Sequence, residues 1–211
     1  HALGASGRWQ NSLLRTRIGA EGMDYKGYNI AVHEFGHNVE QTIDLYHIDH
    51  YTLSGVPNTG FTEALAFVFQ KRDLMLMGYD QAVDDNTTLD IFWGLYEIMG
   101  VSLVDMRMWQ WLYAHPDATA QQLREATLAI AKEVWNTYYY PVLGEQDSPI
   151  LACYSHMVNA PMYLPNYPFG HIVEFQLEEH LAQFPTKQAF ADEIMRIYKL
   201  GKLTPNQWMQ Q

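Results

Sequence analysis

The sequence predicts a mostly α-helical fold, on three observations. Apolar residues recur at helical spacings along most of the chain, turn formers separate those stretches, and no run of period-two alternation or internal repeat interrupts them. Residues 28–44 form the first predicted helix, with Ile30, Val32, Phe35, Val39 and Ile43 at core-facing positions. A second helix, over 61–77, is entered through Pro57, Asn58 and Gly60. A third runs over 89–113, with Gly100 as its expected break. A fourth covers 119–138, where Thr119 and Gln122 make a capping-box start. Residues 140–168 read as loops because Pro141, Gly144, Pro149, Pro161, Pro165 and Pro168 punctuate them, with one short helix expected over 149–157. Helices resume over 169–183 and 186–200, and a last short one starts at Thr204-Pro205, proline being suited to the first helical position.

Composition narrows the function classes. The 211 residues suffice for one large domain or two small lobes. The formal net charge of −11 is spread along the chain, which argues against nucleic acid and anionic membrane surfaces as partners. It suits a cleft for neutral or basic peptides. The most apolar stretch, 91–113, is interrupted by Glu97, Asp105 and Arg107, so it reads as a buried core helix and not as a membrane span. Cys153 is the only cysteine, so no intrachain disulfide forms. A soluble protein, cytoplasmic or exported without disulfides, is expected. The chain opens at His1 with no basic-then-apolar leader and reads as a fragment or a processed or trimmed chain.

The chemistry-bearing motif is His33-Glu34-Phe35-Gly36-His37, which matches H-E-x-x-H. Positions i and i+4 share one face of a helix, so both imidazoles can reach one Zn²⁺ ion. Glu34 beside them is the candidate general base for a zinc-activated water. Gly36 inside a helix costs about 1 kcal/mol relative to alanine, and close packing of another helix or of a substrate would account for it. A catalytic zinc takes a third protein ligand and keeps one position open. Glu63 is the candidate, because a short connection between helices brings them antiparallel and places an early residue of the second against the first. The apolar neighbours Phe61, Ala64, Leu65, Ala66, Phe67 and Phe69 argue against a solvated carboxylate there. Glu34 and His37 also form E-x-x-H, half of a di-iron signature, but such sites use two of these motifs and the chain has one. His47 and His50 read as a polar loop. Asp44 could orient a ligand histidine from behind.

These residues resemble a known group. His33-Glu34-Phe35-Gly36-His37 followed by Gly60-Phe61-Thr62-Glu63-Ala64-Leu65 is similar to the α-helical glutamate-type zinc peptidases (gluzincins): the angiotensin-converting enzyme, thimet oligopeptidase, oligoendopeptidase F and carboxypeptidase Taq group. His156, Tyr167, the segment Glu174-Phe175-Gln176-Leu177-Glu178-Glu179-His180-Leu181 and the tail Leu200-Gly201-Lys202 with Pro205 and Trp208 extend the likeness in family order. The resemblance implies a zincin-like helical catalytic domain over 1–211, in which a glutamate-bearing helix neighbours the H-E-x-x-H helix. It implies one Zn²⁺ held by His33, His37 and Glu63, and peptide or oligopeptide substrates. It gives Tyr167 and His156 the role of hydrogen-bond donors to the oxyanion, with His171 and His180 as competitors for the part of His156. An N-terminal lobe or a partner chain would complete the cleft.

Three departures stand out. Phe67 occupies a position often acidic in the family, so the partner behind a zinc histidine must come from elsewhere. Asn166 stands where angiotensin-converting enzyme has an arginine that serves chloride binding. The segment between His156 and Tyr167 is one residue longer. The aromatic stretches 138–140 and 163–169 fit either a substrate groove or core packing. The alternative functional class is a zinc-binding interaction domain without activity, against which the intact Glu34 speaks.

Overall fold

The computed structural model describes residues 1–79 and 85–211, and the chain divides into two compact units. The first comprises His1–Ala82 and Phe169–Gln211, the second Val83–Pro168. Both are helical, as the periodicity predicts. The one sheet among the described residues is a small antiparallel pair, β1 (Ala2–Leu3) with β2 (Leu13–Leu14).

In the first unit, α1 (Tyr25–His47) begins before the predicted start because Asp24 caps it, its side chain accepting from Gly27 N at 2.7 Å. A 3₁₀ turn at Tyr51–Leu53 leads to α2 (Thr59–Gln70), capped by Asn58 accepting from Gly60 N. The predicted second helix ends early, and a short α3 (Asp73–Leu76) follows. The reason is tertiary. Buried Asp73 accepts hydrogen bonds from Tyr25 and Asn29 of α1 and from the Leu74 N–H, competing with continuation of the helix. Contacts of α1 with α2 and α3 run in opposite order along the sequence: Tyr25 with Asp73 of α3, His33 with Gln70 and His37 with Glu63 of α2. The pair is therefore antiparallel, as a short connection requires.

In the second unit, α4 (Asp85–Ala114) continues through Gly100 without a break, and the ring of Tyr139 occupies the space a side chain there would need. Only the second half of α4 is core: Val101, Val104 and Met108 are buried, whereas Phe92 and Trp93 are exposed. The expectation of a buried helix over 91–113 is corrected accordingly: the residues of α4 that cluster with the next helix in the core are Val101, Val104 and Met108. Among the described residues, no helix is long and apolar enough to cross a membrane. Helix α5 (Ala120–Tyr138) starts at the predicted Thr119–Gln122 capping box. Instead of one helix within loops, 140–168 holds several short turns. These are α6 (Tyr140–Leu143), a 3₁₀ turn at Ile150–Ala152, and α7 (His156–Asn159).

Helix α8 (Asn166–Leu181) starts three residues before the predicted point, because Pro168 falls in its first turn, where no backbone donor is needed. Helices α9 (Lys187–Tyr198), capped by Thr186, and α10 (Pro205–Met209), opened by Pro205, lie close to where the sequence puts them. The core of the first unit gathers Ile43, Phe61, Leu65, Leu177, Ile197 and Trp208. That of the second gathers Val104, Val134, Trp135, Tyr139 and Leu164.

At Gly36 the backbones of α1 and α2 approach closely. A Cβ on it would lie 2.7 Å from Ala66 Cα and 3.2 Å from Leu65 O. Backbone atoms cannot rotate away, so the helices would have to separate. Gly36→Ala should therefore lower stability by about 1–2 kcal/mol in denaturant unfolding, overpacking outweighing the propensity gain of about 1 kcal/mol.

Candidate metal centre

Helix α1 projects His33 and His37 from consecutive turns of one face, and the early part of α2 projects Glu63 at them. One ligand atom from each of the three lies within 4.8 Å of the others, the one such group among the described residues. Glu63 Oε2 is 3.2 Å from His33 Nε2, and Oε1 is 3.7 Å from His37 Nε2. The imidazole rings stand nearly perpendicular, with centroids 4.9 Å apart. Glu63 is almost fully buried, at 1 % exposure. Burial lowers the pKa of His37 below the ordinary imidazole value; the charge of Glu63 opposes this and that of His33 adds to it. At neutral pH His37 is therefore an uncharged nitrogen donor.

Behind His33 lies a hydrogen-bond relay whose direction can be deduced. Asp73 accepts from Tyr25 and from the Leu74 N–H, and Asn29 presents its Nδ2 to it, at 2.7 Å. Asn29 Oδ1 then accepts from Gln70 Nε2 at 2.5 Å, which leaves Gln70 Oε1 to accept from His33 Nδ1 at 2.9 Å. With its proton on Nδ1, a neutral His33 turns the Nε2 lone pair toward Glu63 Oε2. Two acceptors facing each other across 3.2 Å are stabilised when a cation lies between them. The donor set fits a divalent metal of the zinc class: two neutral imidazoles and a carboxylate, one imidazole held in a fixed tautomer.

Sequence reasoning did not find this relay. Gln70 lies two turns after Glu63 on the same face of α2, and Phe67 lies between them, so the partner moves along the helix from the position that Phe67 fills. His37 Nδ1 is buried without a hydrogen bond. Asp44 does not orient a histidine. It shares a hydrogen bond with Glu40, one turn away on α1, and burial together with Asp44 pushes Glu40 up to about 9. His47 and His50 are exposed, as a polar loop should be.

Glu34 is partly exposed, and its Oε1 lies 2.5 Å from the amino group of His1. Within the second unit, Tyr167 and His156 come together, the phenol oxygen 3.4 Å from His156 Nε2. Helix α8 carries Tyr167 in its first turn and Gly170 three residues later. A Cβ on Gly170 would lie 2.6 Å from Glu63 Cβ, so α8 packs directly on the ligand-bearing helix. His171 stacks on Phe67 with centroids 3.7 Å apart, and Phe67 in turn packs against His33 at 5.1 Å. His180 is engaged elsewhere, 2.6 Å from Glu193 Oε1. Within the aromatic stretch 138–140, Tyr139 is core, whereas Tyr138 and Tyr140 are exposed.

Comparison of the chain with models of protein families, with curated proteins and with solved structures gave no match.

Two outcomes follow from the geometry. Gln70→Leu removes the acceptor behind His33 and should weaken zinc binding by about 10- to 100-fold in a competition titration with a chromophoric chelator. Glu40 gives up its proton near its usual 4.5 in the unfolded chain but near 9 when folded, so stability falls as pH rises through that window. Glu40→Gln should flatten that decline and raise the denaturation midpoint at pH 8.

Proposed function

We propose that the chain is a zinc-dependent peptidase that hydrolyses peptide bonds in peptides or oligopeptides, built as a zincin-like helical domain of the glutamate type. The observation that carries the reading is the convergence of His33, His37 and Glu63 from antiparallel helices, with Glu34 adjacent to the first ligand on α1. A structural zinc site has no use for a carboxylate at that position, whereas hydrolysis does.

His33, His37 and Glu63 would hold one Zn²⁺. When bound, zinc supplies Lewis-acid polarisation and makes water a usable nucleophile near neutral pH. Glu34 takes the proton of the attacking water on its carboxylate and delivers it to the leaving amine nitrogen. Gln70 holds the His33 ring in the tautomer that leaves Nε2 free. Tyr167 and His156 keep the role the resemblance gives them, donors to the oxyanion of the tetrahedral intermediate. Their mutual contact supports treating them as a pair.

Glu34→Gln separates this reading from that of an inactive zinc-binding domain. With zinc-loaded chain and a quenched-fluorescence peptide library, the wild type should cleave and lose activity with a chelator. The variant should bind one zinc but lose about 10²- to 10⁴-fold in kcat. A wild type that binds zinc and cleaves no peptide would support the interaction domain instead.

A further inference from the structure

The second unit holds a cavity rich in aromatic rings. Trp93 and Glu97 of α4, Trp135 of α5, Tyr139 just after it, and Tyr154 line a space of about 450 Å³. All lie within Val83–Pro168, and the volume falls in the range of small-molecule sites, about 300–1,000 Å³.

The two buried rings have their polar atoms engaged elsewhere. Trp135 donates its indole N–H to Glu145 O, and the Tyr139 phenol donates to the backbone carbonyl of Tyr96. They stack on each other with centroids 5.2 Å apart, so what they offer a ligand is ring surface. Trp93 and Tyr154 are exposed beside them. Glu97 is the one charged side chain at the cavity, and no lysine, arginine or histidine lines it. It is exposed and thus open to a ligand. The ion pair among the described residues of this unit joins Arg107 to Glu133 and leaves Glu97 without a cation. Its charge reaches the cavity wall: burial, and after it the charges of Tyr96 and Glu97, push the Tyr139 phenol up to about 12.

Aromatic rings beside an unneutralised carboxylate attract a cation. The kind of cation follows from its donors. A primary ammonium or a guanidinium brings several N–H groups, each needing an acceptor, to walls that are largely apolar. An alkylated ammonium brings the same charge inside a shell of C–H groups and needs none. We propose that this cavity binds a small organic cation of the alkylated-ammonium class, its head group held by the aromatic walls and by the Glu97 carboxylate. The inference is independent of the peptidase reading, since neither metal nor cleavage enters its test.

The test uses choline and 3,3-dimethylbutan-1-ol, its uncharged carbon isostere. Each is titrated into the chain carrying ¹⁵N-labelled tryptophan, with the indole resonances followed by NMR. Saturable shifts are expected at Trp93 and Trp135, with choline binding about 10-fold tighter, the scale of cation–π contacts joined by one solvent-reached ion pair. Glu97→Gln, at an exposed position, should lower that preference by about 3-fold, and Trp93→Leu by a similar factor. Nα-acetyl-trimethyllysine methylamide carries the same head group on a peptide unit: tighter binding than choline assigns the head group to a modified side chain, weaker binding to a free molecule. No saturable shift at either indole, or equal affinities of choline and the alcohol for the wild type, would overturn the proposal without recourse to any variant.

Discussion

The close antiparallel approach of α1 and α2 is the constraint on which the rest depends. Gly36 lets the two backbones come within a distance that a single methyl group would forbid. At that separation a carboxylate early in α2 reaches two imidazoles one turn apart on α1. Its burial is then nearly complete, burial lowers the pKa of His37, and Glu63 faces the Nε2 atoms of both histidines. Gly170 makes the same kind of close approach from the other side, so Glu63 is held between α1 and α8 with little freedom to move.

Around that contact the polar groups are organised in two ways. Behind His33, Gln70, Asn29 and Asp73 form a chain in which Asn29 donates to the terminal carboxylate, which sets the orientation of each amide. This chain also explains a feature of the fold: the carboxylate that anchors it ends α2 and starts α3. Deeper along α1, burial raises the pKa of both Glu40 and Asp44, which favours the uncharged form of two acidic side chains in the interior. The helix that bears the ligands is thus lined on one side by groups whose protonation is set by burial.

How much of this was legible depended on whether the cause was local. Helix periodicity, the Thr119 capping box, Pro205 at a helix start and the i, i+4 histidines are written within a few residues, and each was readable. Glu63 was also readable, because its apolar neighbours left a carboxylate no solvated alternative. The split between α2 and α3 was not, since Asp73 acts through Tyr25 and Asn29, more than forty positions away. Nothing near Gln70 in the sequence marks it, and only the register of α1 against α2 gives it His33 and Asn29 as partners. The short turns within 140–168 depend on side chains such as Trp135, which donates to Glu145 O at 2.6 Å, and proline spacing does not encode that.

The central claim is that one ion is held by two imidazoles of α1 and a carboxylate of α2. X-ray absorption at the zinc edge, on chain loaded with one equivalent of zinc, tests it most directly. The account predicts a nitrogen and oxygen shell near about 2.0 Å with the outer-shell scattering of two imidazoles, reduced to one in His37→Ala. A sulfur neighbour at about 2.3 Å, or a shell that His37→Ala leaves unchanged, would contradict it.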